Sequence, residues 1–304
     1  MKKIFFSILF STALLQMLAQ QDALYSQYMF NQFTINPAYA GSRNSFSSVL
    51  LLRNQWSGLS GAPNTLNFSL HTPFSGKQMA LGLNFIADEI GPSKNSTILG
   101  TYAYHLRTSK GKISFGLRGG FYSSSLNSNR LNFFDNNDVH NSGAVYQTIT
   151  PNFDFGVYYY TPKFYSGLSV NHLFDNKVVY QNSSQTHLYL NRHFFFNTGA
   201  VFVKNENLVI KPSIMVRYNA GSPVSFDLNT SVLFKKTIWL GLSYRSSNNV
   251  IFISEYNISN FLRIGYSYDF DLSKLRKFHS GSHEVFIGCD FNFNKKDSKS
   301  PRYL

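Results

Sequence analysis

From about Ser45 onward, apolar side chains recur at every second position, and this alternation constrains the fold more than any other feature of the chain. Leu262, Ile264, Tyr266, Tyr268 and Phe270 are separated by Arg263, Gly265, Ser267 and Asp269. Val224, Phe226, Leu228, Thr230, Val232 and Phe234 bracket Ser225, Asp227, Asn229 and Ser231. Val285, Ile287, Cys289, Phe291 and Phe293 bracket Phe286, Gly288, Asp290 and Asn292. A period of two is that of a strand with one apolar and one largely polar face. No apolar stripe of helical period follows the N-terminal segment.

About fourteen such segments are predicted, an even number as bacterial single-chain barrels require. They begin near Ser45, Thr65, Met79, Thr97, Lys112, Asn152, Phe164, Arg192, Leu208, Val224, Ile238, Val250, Phe261 and His283. Most run roughly 8–13 residues, the length at which a tilted strand crosses a bilayer. Strands of soluble sandwiches are shorter, at about 5–6 residues.

Composition separates this reading from a helical membrane protein. Charged residues make up 14% and aromatics 17%, yet the mean hydropathy is only −0.18. Membrane helices concentrate apolar residues in runs of about 20; a transmembrane barrel disperses them, one side chain to lipid and the next to a polar interior. The formal charge of +13 raises nucleic-acid binding as an alternative. The Lys and Arg residues are scattered singly or grouped at turns, not gathered into a stripe or patch, so no nucleic-acid partner is expected. The single cysteine, Cys289, excludes a disulfide framework within one chain and reads as a small apolar strand residue.

The connections fall into two kinds. Short, Lys-bearing ones are Ser75-Gly76-Lys77, Arg107 to Gly111, Thr161-Pro162-Lys163, Lys204 to Asn207 and Lys235-Lys236. The long ones run from Ser125 to Pro151, Asp175 to Asn191 and Asp271 to Gly281. Tight periplasmic turns alternating with long surface loops are the habit of outer-membrane barrels. With the mature N-terminus in the periplasm, every Lys-bearing turn falls on the periplasmic side.

Lys2 and Lys3, the apolar run Ile4 to Leu15 and the small Ala19 have the form of a cleaved signal peptide. The expected organisation is a signal peptide over 1–19, an N-terminal periplasmic arm or plug over 20–44, a barrel over 45–293 and a basic periplasmic tail over 294–304. The tail carries Lys295, Lys296, Lys299 and Arg302.

No catalytic motif is present: no nucleophile elbow, no His-Glu-x-x-His, no phosphate loop and no dinucleotide fingerprint. The chain is therefore expected not to be an enzyme, and no cofactor is expected. Asp135-Asn136-Asn137-Asp138 lacks the spacing of a calcium loop. His105, His172, His187 and His193 are too scattered to define a metal site and read as lumen or loop residues. One set of residues is a candidate for function. Lys211, Arg217, Asp227, Arg245, Glu255, Arg263 and Asp290 lie on the polar faces of the late strands. On a lipid face each Lys or Arg would cost about 2–4 kcal/mol at mid-membrane, so these charges should point into the lumen. There they either fill the interior or form a polar gate or plug-docking surface.

After the leader the sequence contains Tyr28-Met29-Phe30-Asn31, then Asn36-Pro37-Ala38-Tyr39-Ala40-Gly41, then Arg53-Asn54-Gln55-Trp56. Near the end it reads Gly281-Ser282-His283-Glu284-Val285. These segments resemble the PorP/SprF family of type IX secretion system membrane proteins of Bacteroidota. The resemblance implies an all-β, transmembrane outer-membrane antiparallel β-barrel of the FadL/PorV-like kind. It further implies a role in secretion or surface retention of a cargo protein, such as a large adhesin of gliding motility, recognised through the cargo's C-terminal domain. Other type IX secretion components in the periplasm or outer membrane would be partners. The alternatives are a porin or transporter for small or hydrophobic solutes and, last, a surface enzyme. Read physically, Asn36-Pro37 is a turn signal, and Gly41 permits a tight approach to the first strand. Residues 22–40 are expected to tuck into the periplasmic mouth and occlude the lumen, with Tyr25, Tyr28, Met29, Phe30 and Phe33 on a short amphipathic turn.

Overall fold

A computed structural model of the chain describes residues 22–43, 45–74, 78–131, 144–178, 188–219 and 222–291. The strands are β1 (Phe46–Asn54), β2 (Asn64–Pro73), β3 (Met79–Ile90), β4 (Ser93–Arg107), β5 (Lys112–Asn127) and β6 (Val145–Tyr160). They continue as β7 (Phe164–Asn171), β8 (Asn176–Val178), β9 (Leu188–Leu190), β10 (His193–Ala200), β11 (Phe202–Asn205) and β12 (Leu208–Asn219). The last are β13 (Ser225–Phe234), β14 (Ile238–Arg245), β15 (Asn249–Asn257), β16 (Leu262–Asp271) and β17 (Ser282–Phe291).

All but β8 and β9 form one antiparallel sheet of sequential neighbours. It closes because β1 pairs with β17, from Phe46 opposite Phe291 to Asn54 opposite His283. The ring has 14 wall positions, because β10 and β11 both lie on β12 in one register. The β10–β12 ladder stops after Gly199 opposite Ser213, and in that register the next residue, Ala200, falls opposite Pro212, which has no N–H to give to the ladder. Closure leaves no strand edge for lipid to desolvate. Among the described residues no helix is long and apolar enough to cross a membrane.

Alternation sorts the wall into two faces. Outward positions are apolar and open, as at Leu50, Leu52, Leu117, Phe153, Leu228, Leu240 and Ile287. Inward positions are buried and often polar, as at Asn67, Asn84, Ser114, Arg118, Asp227, Ser231 and Glu284. Water would not tolerate so continuous an apolar exterior; a bilayer requires it. Cys289 lies on the outward side of β17 and is half-buried.

The strand starts follow the sequence pattern closely at one end of the barrel, here the short-turn end, where the described connections span 108–111, 161–163, 206–207, 235–237 and 258–261. At the opposite, long-loop end two expectations need correction. β4 begins at Ser93 rather than Thr97, and β6 at Val145 rather than Asn152, so β5 and β6 continue as a paired ribbon into the expected loop 125–151. Strands that outrun the bilayer no longer need an apolar face, so the signal fades there while the pairing persists. The 172–192 connection contains the β8–β9 ribbon, and the 272–281 connection contains a 3₁₀ turn at Lys274–Phe278.

Residues 22–43 precede β1 and lie inside the barrel. Tyr28, Met29, Phe33, Ala38, Tyr39 and Ala40 are each at most 2% exposed, and Ser26, Gln32 and Asn36 are fully buried. Two short 3₁₀ turns, Gln32–Thr34 and Pro37–Tyr39, are the regular structure in this arm. The arm is not confined to one mouth. Asp22 meets His172 and His193 at the long-loop ends of β7 and β10, whereas Arg43 meets Asp290 at the short-turn end of β17. The arm is also buried on every side rather than on one face, because the lumen surrounds it.

Candidate functional site: the lumen and its arm

The sharpest fit between arm and wall is at Asn36-Pro37-Ala38. Asn36 is extended (φ −134°, ψ 111°), as a residue before proline must be. Its Oδ1 accepts from the Ala38 N–H at 2.9 Å, and its Nδ2 donates to the carbonyls of Val157 at 3.1 Å and Leu168 at 3.3 Å. The wall makes room with glycine. A Cβ on Gly116 would lie 2.2 Å from the Ala38 nitrogen, and one on Gly156 would lie 2.1 Å from Asn36 Oδ1. Gly41 has φ +74° and packs against Ala80 where the chain turns toward β1. Tyr39 stands edge-on to Tyr158 and His71, at 5.4 and 5.7 Å between ring centroids. Phe30 sits between Trp239 and Phe286, each 6.1 Å away. Asn31 exchanges hydrogen bonds with Ser69, and Tyr28 and Met29 are buried beside them.

Charged side chains bind the arm in three groups. Toward the long-loop end, Arg217, Asp227, Arg245, Asp269, Arg53 and Glu284 form a continuous chain across β12, β13, β14, β16, β1 and β17. Three cations face three carboxylates, all with side chains at most 9% exposed. The arm is woven into this chain. Ser26 donates its N–H to Glu284 at 2.9 Å and its hydroxyl to Asp269 at 2.7 Å, and it accepts from Arg53 at 2.9 Å. Gln27 N–H adds a second bond to Glu284 at 2.8 Å. Buried charges persist only where paired and hydrogen-bonded, and here the arm adds hydrogen bonds from Ser26 and Gln27 to the Asp269 and Glu284 carboxylates.

At the short-turn end, Asp290 accepts from Arg43 at 3.0 Å and Arg263 at 3.2 Å, and Arg263 also reaches Glu255 at 3.1 Å. On the remaining wall, Arg118 pairs with Asp154 at 3.6 Å and donates to the backbone carbonyls of Phe33 and Thr34. Asp22, on the arm, bonds His172 at 2.8 Å and His193 at 3.2 Å. Burial works against the charged form of His172, but the Asp22 carboxylate outweighs it and raises this imidazole to about 9. Asp22 is likewise held well below the usual carboxylate range: burial raises it, and the two imidazoles more than offset that. A cavity of 70 Å³ remains between the arm and the long-loop end, lined in part by Asp22, Tyr25, Asp88, Arg118, Asp154 and His172. It has room for a few waters. No group of His, Cys, Asp and Glu suited to a metal ion occurs among the described residues.

The chain matches the family described as "Type IX secretion system membrane protein PorP/SprF" over residues 17–289. It belongs to the PorP/SprF family. A comparison with the curated proteins gives no match. Among solved structures, a Pseudomonas aeruginosa FadL homologue is similar at a TM-score of 0.52 and 11% identity, covering 85% of this chain and 93% of the other. The CymD monoaromatic hydrocarbon channel is similar at 0.50 and 13%, covering 86% and 92%. These likenesses establish a shared barrel fold. This PorP/SprF protein is thus an outer-membrane β-barrel component of type IX secretion.

All seven sequence-identified charges of this PorP/SprF barrel lie on inward positions, in two groups. Arg217, Asp227 and Arg245 join the long-loop chain. Glu255, Arg263, Asp290 and Lys211 lie at the short-turn end. Arg53, Glu284, Asp269, Arg118 and Asp154 were not singled out as charges, although Arg53 and Glu284 fall within quoted motif segments. His105 and His172 are buried lumen residues that meet the arm, His105 through the Ala40 carbonyl at 2.9 Å. His187, residues 135–138, the leader and the C-terminal tail lie outside the described residues.

Proposed function

We propose that this barrel is a non-catalytic partner in type IX secretion that assists the export or surface anchoring of a cargo protein through the cargo's C-terminal domain. A large adhesin, including one serving gliding motility, is the expected cargo. The observation that carries this reading is the filled lumen: residues 22–43 run from one end to the other, tied to the wall by Asn36, Ser26 and three charged groups. A barrel filled by its own chain works through its ends. In this reading the long loops face the cell exterior and grip cargo, and the Lys-bearing turns face the periplasm, where they dock acidic secretion components. The leader is cleaved on export, and residues 22–43 act as a plug.

A second reading, transport of small or hydrophobic solutes, draws support from the likeness to FadL-type barrels. It requires the arm to leave the lumen. Purifying the tagged protein from its native outer membrane in mild detergent, and identifying what accompanies it by mass spectrometry, separates the two. Recovery of a large secreted protein dependent on its C-terminal domain supports the secretion reading. A barrel with no companion that conducts ions in a planar bilayer supports transport.

A further inference from the structure

We infer that the turn Lys274–Phe278, at the long-loop end of the wall, binds the phosphates of lipid A in the outer leaflet. The outward face of β16 carries Tyr266, Tyr268 and Phe270, and Leu272 continues that row. Aromatic rows of this kind mark the level at which a barrel wall passes from acyl chains to headgroups. The turn that follows is fixed. Asp271 accepts from the Ser273 N–H at 2.6 Å, and Ser273 Oγ accepts from the Leu275 N–H at 3.2 Å. His279 Nδ1 accepts from the Gly281 N–H at 2.9 Å, so Nε2 carries the proton and donates to Asp271 at 3.2 Å.

Lys274, Arg276 and Lys277 are all exposed on this turn. The Arg276 guanidinium lies 4.5 Å from the Phe270 ring centroid. Phe270 is on the outward row, so this cation stands over the outer wall and not over the mouth of the lumen. Only a molecule lying beside the wall can reach it there. Leu272, Leu275 and Phe278 are 52%, 36% and 67% exposed beside these charges. Cations at headgroup level with apolar side chains next to them suit a phosphorylated lipid, whose acyl chains take the apolar groups. Guanidinium groups also bind phosphate oxygens in pairs.

The chain offers these cations no counter-ion of its own. Among the described residues none of them has a carboxylate within 4.0 Å. Asp271 is engaged by Ser273 and His279, and no acidic residue occurs from 272 to 283. The connections packed against the turn, 246–248 and 55–63, have none either. Glu89, beside the second of these, already holds Lys94 at 3.4 Å and Arg130 at 2.6 Å. The choice of lipid A rests on the reading that the long loops face the cell exterior; the contacts of the turn do not.

The test uses the whole purified protein in detergent with diphosphorylated lipid A, or with the same lipid stripped of its phosphates, and native mass spectrometry measures the lipid retained. A cation near an anionic headgroup contributes about fivefold, so the unaltered protein should hold the phosphorylated lipid at least about tenfold more tightly. Lys274→Gln, Arg276→Gln and Lys277→Gln together should erase that preference. Lys163→Gln, Lys204→Gln and Lys235→Gln remove the same charge from exposed positions at the short-turn end and should leave it intact. Resistance to SDS before boiling shows that each variant is folded. Equal retention of the two lipids by the unaltered protein overturns the proposal without any variant. So does a preference that survives in the folded turn variant, or retention of phosphatidylglycerol as tight as that of lipid A, which marks a general attraction to anionic surfaces. Orientation is read separately. In a Cys289→Ser background, Ser280→Cys should react with a membrane-impermeant maleimide in intact cells. Reaction only after lysis would place the turn in the periplasm and refute both the choice of lipid A and the reading of the loops, even with the phosphate preference intact.

Discussion

Replacing Gly116 by alanine adds one methyl group where the arm has no space for it. The new Cβ would lie 2.2 Å from the Ala38 nitrogen and 2.3 Å from the Pro37 carbonyl carbon, both backbone atoms that cannot rotate away. Overpacking of this kind costs typically about 1–3 kcal/mol. Relieving it by lifting the turn breaks the three hydrogen bonds of Asn36, each worth about 0.5–1.5 kcal/mol net. The arm takes whichever course costs less, so the penalty is roughly 1–3 kcal/mol, a shift of about 5- to 150-fold in the ratio of seated to unseated arm. Chymotrypsin reads this ratio, because Tyr25, Tyr28, Phe30, Phe33 and Tyr39 are all buried while the arm is seated. Gly116→Ala should be cut in the arm at least about fivefold faster than the unaltered protein while the barrel keeps its resistance to SDS before boiling. Gly100→Ala is the control, since its Cβ would meet only the Gly119 carbonyl at 3.8 Å, and it should be cut at the unaltered rate. An arm in Gly116→Ala that is protected as well as in the control would refute the tight-seat argument.

Asn36→Ala should cost about 1.5–4.5 kcal/mol by loss of the same three bonds, lowering the temperature at which the barrel loses SDS resistance. Arg53→Met should cost roughly 3–5 kcal/mol in urea unfolding followed by tryptophan fluorescence, because it leaves Glu284 without a cation while Asp269 keeps Arg245 at 3.7 Å. The Asp22–His172 contact should depend on pH. With His172 raised to about 9, its contribution is full below the ordinary histidine value of about 6.5 and is lost as pH rises through 9. With Asp22 lowered, its contribution is present above the usual carboxylate value of about 3.9 and is lost on acidification. Amide exchange at Ala23 and Leu24 should therefore be slowest between about pH 4 and 6.5 after correction for intrinsic rates, and protection that rises above pH 9 would contradict the assignment.

The wall was legible because alternation is a local property: a strand such as Leu262 to Phe270 declares its two faces whatever it pairs with. The inward direction of Arg217, Asp227, Arg245 and Arg263 followed from the same rule. Their partners did not. Arg53 meets Asp269 and Glu284 because β1 closes on β17, and nothing within 200 residues of Arg53 signals that neighbourhood. The His172–Asp22 contact is similarly a product of closure, spanning 150 residues. The arm was misjudged in extent for a related reason. Tyr25, Tyr28, Met29, Phe30 and Phe33 were expected to cover one mouth from one face, but a segment enclosed by a barrel is buried on all faces. The trace of that enclosure in the sequence is the uncharged company these residues keep: Ser26, Gln27, Asn31 and Gln32 are polar enough to bond the wall and carry no charge to desolvate.

The central claim is that this barrel serves a secreted protein and not a solute, and deleting its gene in the native host tests that most directly. Surface and culture-medium proteins would be compared with the parent strain by quantitative mass spectrometry, alongside uptake of a hydrophobic solute. The account predicts loss of one large protein, or a small set, from the surface, with the missing protein retained in the periplasm or released into the medium and with solute uptake unchanged. An unaltered surface together with lost uptake would contradict it.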